Sequence, residues 1–260
     1  MAKAITPVAP GFSWIDGASG RALVCAALQR LASHVFTTRA LAFRGASNDH
    51  DWSRLAESLG VTADEVVRVR QVHGRAIAVV RPAARGAGPG DVAEADAVVS
   101  TDPARAIAVR VADCVPILLA DRGCRVVAAV HAGWRGTAAN VAAATVEAIA
   151  ALGIPPADLV AAVGPSIGPC CYQVDAPVRT TFLTAHSHSD AWFTGDGPGR
   201  WRLDLWRANG EQLAAAGIPP EAIHQARLCT ADHPDWFYSF RREGAAAGRM
   251  VAGIRLNVRT

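Results

Sequence analysis

Three apolar runs of this 260-residue chain stop abruptly at reactive side chains. "RVRQVHG" places His73 before Gly74, "IAVRVADCVPILLAD" places Asp113 and Cys114 before Pro116, and "VVAAVHAGWRG" places His131 before Gly133, Trp134, Arg135 and Gly136. Strand ends are where loops can aim side chains into a common crevice while the sheet stays rigid. Two imidazoles and a thiolate brought together there would form a three-ligand transition-metal site. A fourth position left to water is the arrangement of catalytic zinc. The separations, 41 residues from His73 to Cys114 and 17 from Cys114 to His131, lack the compactness of a local ligand pair. Spacing alone therefore leaves buried structural histidines and cysteine as the other reading.

Arg135 brings a second chemistry. Its guanidinium is a rigid fork suited to phosphate, and the Gly133–Thr137 turn leads into a helix-like stretch whose first amides would favour an anion. Asp113 is a candidate for acid–base work or for supporting a ligand. Trp134 reads first as packing under the turn, since large aromatics fill cores more often than they make stacking platforms. The adjacent Cys170 and Cys171 invite a redox reading, but a disulfide between neighbours is strained. Residues 164–172 read more simply as a Gly/Pro-shaped loop closing over the site.

The elements that must position these groups alternate short apolar runs with helical patterns, which predicts an α/β or α+β domain. Residues 107–111, 116–120, 125–130 and 159–163 read as strands. Thr137 to Leu152 reads as one helix stopped by Gly153, and 175–185 and 204–216 read as two more, with 250–258 as a final strand. The Gly- and Pro-rich segment 81–90 and the polar segment 187–199 are the expected linkers. Trp236, Phe237, Tyr238 and Phe240 either close a pocket or complete the core, with alternation placing Tyr238 and Phe240 on one face.

Composition narrows the partners. The chain is 51% hydrophobic, enough for a sizeable core, and 26 Lys+Arg against 23 Asp+Glu leave a net charge of +3. The arginines are scattered, so nucleic acid is not the expected partner. No run approaches the roughly 18 apolar residues that span a bilayer, and Pro7 and Pro10 interrupt any signal-peptide core. Six cysteines without repeated spacing predict reduced thiols in a cytoplasmic protein.

The ordered set "RQVHG", "ADCVPILLAD", "VHAGWRG", "GPSIGPCCYQV", "RLDLWRANGEQL" and "FYSFRREGAAAGRM" resembles the YfiH-like laccase-domain family, also labelled polyphenol oxidase or purine nucleoside phosphorylase. The resemblance spans roughly residues 65–258. It implies a single-domain layered α/β/β/α sandwich over residues 1–260, with zinc held by His73, Cys114 and His131. "HVFTTRA", carrying Arg39, looks like the family's opening strand. The Gly-Gly pair and Leu-Asn-Leu segment that usually follow are not visible: either Asn48 replaces the family's active-site asparagine, or the loop has been shortened.

Three reactions come with the resemblance. Four-electron phenol oxidation needs several coppers and many histidines, and this chain has eight. Copper remains the alternative metal, but zinc fits the ligands better. Zinc would activate a water for attack at C6 of adenine, which is adenosine deamination, although the H-x-E and P-C-x-x-C signature of other zinc deaminases is absent. Phosphorolysis of purine nucleosides asks for a phosphate anchor, expected at Arg135 with help from Arg39 and Arg241. The leading expectation is a zinc-dependent purine nucleoside phosphorylase with adenosine deaminase side activity, a monomer or homodimer acting on small molecules. Editing of cell-wall muramoyl precursors and a non-catalytic zinc-stabilised binding protein are the rivals. The last would need a fourth protein ligand, for which Cys170 is the nearest candidate.

Overall fold

The computed structural model describes residues 7–44, 49–82 and 93–257. Asn48 and most of the expected 81–90 linker lie outside the described residues. The strands are β1 Phe12–Gly17, β2 Gly20–Cys25, β3 Ala32–Thr37, β4 Val66–Arg68, β5 Ile77–Val80, β6 Ala97–Ser100, β7 Ala106–Val111, β8 Val115–Asp121, β9 Val127–Ala132, β10 Leu159–Val163, β11 Gln173–Asp175, β12 Phe193–Gly195, β13 Arg200–Leu203, β14 Ile223–Gln225 and β15 Met250–Leu256. The helices are α1 Ala26–Gln29, α2 Asp49–Leu59, α3 Trp134–Ala138, α4 Val141–Ala150, α5 Ala176–Ala185, α6 Leu205–Ala215 and α7 Phe240–Glu243.

Two sheets, β1-β2-β3-β15-β7-β4 and β14-β10-β8-β9-β6-β5, lie face to face. Strand alternation sorts their side chains into three cores. Ile107, Val109 and Ile254 of the first sheet meet Leu118, Ala129 and Val160 of the second in the central layer. On the outer face of the first sheet, Ala106, Ala108 and Val251 pack against Trp52, Leu55 and Leu59 of α2. On the outer face of the second, Ile117, Leu119 and Val130 pack against Val146 and Ile149 of α4 and Leu213 of α6. The layers are helix, sheet, sheet, helix, the α/β/β/α sandwich expected from the resemblance. No helix among the described residues is long and apolar enough to cross a membrane.

The four expected inner strands form within one or two residues of their expected limits, because each is a short apolar run buried on both faces. Helices α5 and α6 begin where Asp175 and Asp204 accept hydrogen bonds from the amides of Val178 and Arg207. The single helix expected from Thr137 to Leu152 is two helices. Asn140 stands between them at φ 62°, ψ 43°, a left-handed conformation asparagine tolerates. The carbonyl of Thr137 takes a 2.8 Å hydrogen bond from Gln212 Nε2, and its hydroxyl takes one of 3.1 Å from Asn209, so α6 fixes the break. Residues 187–199 are not a loose linker. They carry the buried Trp192 and strand β12, which pairs with β13 in a third sheet, β11-β13-β12.

Candidate active site

The site lies where the chain passes from one sheet to the other. Strand β7 belongs to the first sheet and β8 to the second, so residues 112–114 cross between them. Strand β9 runs beside β8, with His131 opposite Pro116, and opens into α3 at Gly133. The turn carrying His73 links the edge strands β4 and β5 of the two sheets. His73 and Asp113 both hold positive φ, 60° and 82°, a backbone state that L side chains avoid and that functional sites accumulate.

These crossings bring the three predicted ligands together. One donor atom each from His73, Cys114 and His131 lies within 4.8 Å of the other two, and the imidazole centroids are 4.8 Å apart and near perpendicular. His131 is buried, Cys114 half-buried and His73 exposed, so the cluster opens on the His73 side. Gly133 makes the approach sterically feasible: a Cβ there would stand 2.9 Å from Cys114 Sγ and 3.3 Å from His73 Cδ2. Gly136 lets the first turn of α3 rest on the neighbouring turn, where a Cβ would meet the Gly74 carbonyl at 3.1 Å.

Beneath the cluster sits a residue that sequence reasoning missed. Asp96 is fully buried immediately before β6, and its Oδ1 accepts from His131 Nδ1 at 2.8 Å and from the His73 amide at 2.9 Å. Its Oδ2 accepts from the Gly74 amide at 2.6 Å. An ionised carboxylate can only accept, so Nδ1 carries a proton, and Nε2 is the nitrogen that would offer its lone pair to a metal. Burial pushes the Asp96 carboxyl up, but His131 and the two amides outweigh it and hold it below the usual range. Burial likewise opposes ionisation of Cys114, yet His131 and His73 bring its thiol down to about 6. His131 is carried up to about 9 against its own burial by Cys114 and Asp96. The signal for Asp96 was a lone carboxylate at the head of the buried run "ADAVVS".

The donor set fits a metal ion: two imidazoles, one readily ionised thiol, a carboxylate behind one ligand and an open side. Among the described residues no fourth His, Cys or carboxylate joins the cluster. Cys170 belongs elsewhere, with Cys171 and Cys229, so the fourth ligand required of a structural zinc is not found there.

The cluster forms the floor of a cavity of about 850 Å³. Among the described residues, five arginines line it, Arg44, Arg110, Arg135, Arg241 and Arg249, against one carboxylate, Asp113. Arg110 is held below the usual arginine range first by burial and then by the charges of Arg249 and Arg68. Gln71 clamps the Arg110 backbone with two hydrogen bonds of 2.8 Å. Arg135 is exposed and lies 4.3 Å over the Trp134 ring, so Trp134 both packs against the core and lines the cavity. The helix at Arg135 has five residues, too short to contribute the anion site expected of a longer helix. Tyr172, from the 164–172 loop, and Phe240 complete the wall, the first beneath the Arg241 guanidinium at 5.1 Å. Phe237 and Ser239 are buried while Tyr238 is half-buried and Phe240 exposed, so burial alternates as expected as far as Phe240, where α7 begins.

Asp113 and Arg39 both make contacts within the fold. Asp113 lines the cavity, but its Oδ1 accepts from Thr230 Oγ1 at 2.6 Å and its Oδ2 from Ser239 Oγ at 3.1 Å and the Arg241 amide at 2.6 Å. These bonds hold the start of α7 in place. Arg39 is not among the residues lining the cavity. Its guanidinium bonds the Pro234 carbonyl, lies 3.8 Å from Glu243 and stacks 4.7 Å over Tyr238.

The family model described as multi-copper polyphenol oxidoreductase laccase matches residues 46–257. This chain belongs to that family. "Purine nucleoside phosphorylase YlmD" of Geobacillus stearothermophilus is 38% identical over 212 residues, covering 77% of this chain and 76% of that protein. Its crystal structure superposes with a TM-score of 0.83 over 91% of this chain and 96% of its own. "Adenosine deaminase RL5" from an unknown prokaryote is 37% identical over 205 residues, covering 77% of this chain and 78% of that protein. The crystal structure of the Bacillus licheniformis hypothetical protein YfiH matches with a TM-score of 0.82 at 30% identity, over 91% of this chain and 96% of that one.

Proposed function

We propose that residues 1–260 act as one domain, a zinc-dependent purine nucleoside phosphorylase with adenosine deaminase side activity. The observation that carries it is one cavity holding both the His73–Cys114–His131 cluster and five arginines opposed by one carboxylate. Mutually repelling cations around a half-buried Arg110 make a pocket that gains by taking an anion. Inorganic phosphate, compact and doubly charged, is the anion that phosphorolysis requires. Relatives named for purine nucleoside phosphorylase and adenosine deaminase activity support both halves of the reading.

Within this reading, zinc supplies Lewis acidity and lowers the pKa of water toward about 7. His73, Cys114 and His131 hold it, and Asp96 orients His131. Arg135, on the exposed rim, and Arg110, deeper in the cavity, hold phosphate. Tyr172, Trp134 and Phe240 offer the flat apolar faces on which a purine and ribose would rest. Asp113 fixes the Arg241 backbone and so positions that guanidinium beside Tyr172. Incubation of zinc-replete protein with inosine or adenosine and phosphate should release free base and ribose 1-phosphate. Absence of base release from every purine nucleoside tried would overturn the assignment.

A further inference from the structure

Cys170, Cys171 and Cys229 make a second cluster that the proposed activity does not use. One sulfur from each lies within 4.8 Å of the other two. All three are free thiols, one exposed, one half-buried and one buried. Two backbone segments carry them: the loop between β10 and β11, and the residues after β14. A parallel bridge between Ser166 and Cys229 joins these segments, and the Thr230 amide bonds the Ser166 carbonyl at 3.0 Å. The approach of the sulfurs is thus built by backbone hydrogen bonds and not by the thiols themselves.

We propose that this cluster is a three-thiolate site for a soft monovalent cation, copper(I). Three sulfurs about 2.3 Å from a central metal in one plane would stand about 4 Å apart, which the observed limit accommodates. No imidazole or carboxylate joins the cluster among the described residues. Zinc prefers four ligands, whereas copper(I) takes soft sulfur donors in preference to oxygen or nitrogen. The Gly168 amide donates to Cys229 Sγ at 3.3 Å, a contact that stabilises charge on a ligating sulfur. The donors of the His73 cluster play no part, so the site stands or falls apart from the phosphorylase reading.

The test is an anaerobic titration of reduced, zinc-loaded protein with copper(I) against a competing copper(I)-binding dye. Wild-type protein should withhold one equivalent of copper from the dye while its zinc stays bound. C170S/C171S, altered only at exposed and half-buried positions, should lose that equivalent and keep its zinc. Cys114→Ala should keep the copper. Equal copper retention by wild type and C170S/C171S would overturn the proposal. So would no retention by wild-type protein whose six cysteines all titrate as thiols, or a disulfide joining Cys229 to either neighbour in protein prepared under air.

Discussion

Two clusters of three side chains that could hold a metal stand among the described residues, and they differ in what surrounds the sulfur. Cys114 lies between two imidazoles, one of them gripped from behind by Asp96, and its thiol comes down to about 6. Cys170 and Cys171 face other thiols and a carboxylate, and theirs go up. Burial penalises a thiolate in both places; only the first cluster supplies the positive charge and hydrogen bonds that overcome it. On the readings proposed above, the first would suit a borderline metal with an open position and the second a soft metal held by sulfur alone.

The largest expected contrast is in alkylation of metal-free protein. Cys114 stays a thiolate until pH falls through about 6, because a lowered thiol keeps its charge above its own pKa. At pH 7 iodoacetamide should modify Cys114 about a hundredfold faster than Cys170 or Cys171. Peptide mass analysis reads the rates, and equal labelling of the three would erase the distinction. Removing Asp96's charge should come next. Asp96→Asn leaves the donors of the first cluster in place but unsupported, and zinc affinity should fall by about 10–100-fold. Copper(I) retention by the sulfur cluster should not change, and a loss at both would show general unfolding instead.

Asp113 and Arg39 give smaller effects of different kinds. Asp113→Asn weakens three hydrogen bonds to a buried carboxylate and should cost about 2 kcal/mol of stability. Under the phosphorylase reading it should also raise KM for phosphate by displacing Arg241. Arg39→Ala removes a surface ion pair and a stacking contact and should cost about 1 kcal/mol or less, with KM for phosphate unchanged. A large rise in that KM would return Arg39 to the phosphate site.

The parts legible in the sequence were those that depend on local pattern. The inner strands announce themselves as buried runs, and His73, Cys114 and His131 stand at their ends. Asp96 was hidden because its partners are a histidine 35 residues away and the backbone of another strand end. The partners of Asp113 were hidden as well, because Thr230, Ser239 and Arg241 lie more than a hundred residues downstream. The break at Asn140 depends on Gln212 and Asn209 of a later helix, which no propensity within 137–152 records. Arg110 shows only as a charge within an apolar strand until Arg249 arrives from the other end of the chain.

The most direct test pairs metal analysis with phosphorolysis in wild type and Cys114→Ala. Wild-type protein should hold one zinc at the His73–Cys114–His131 cluster and convert inosine and phosphate to hypoxanthine and ribose 1-phosphate. Cys114→Ala should fold, lose that zinc and release no base. Undiminished base release by a zinc-free Cys114→Ala protein would contradict a catalytic metal there, and loss of folding together with the metal would make it a structural one.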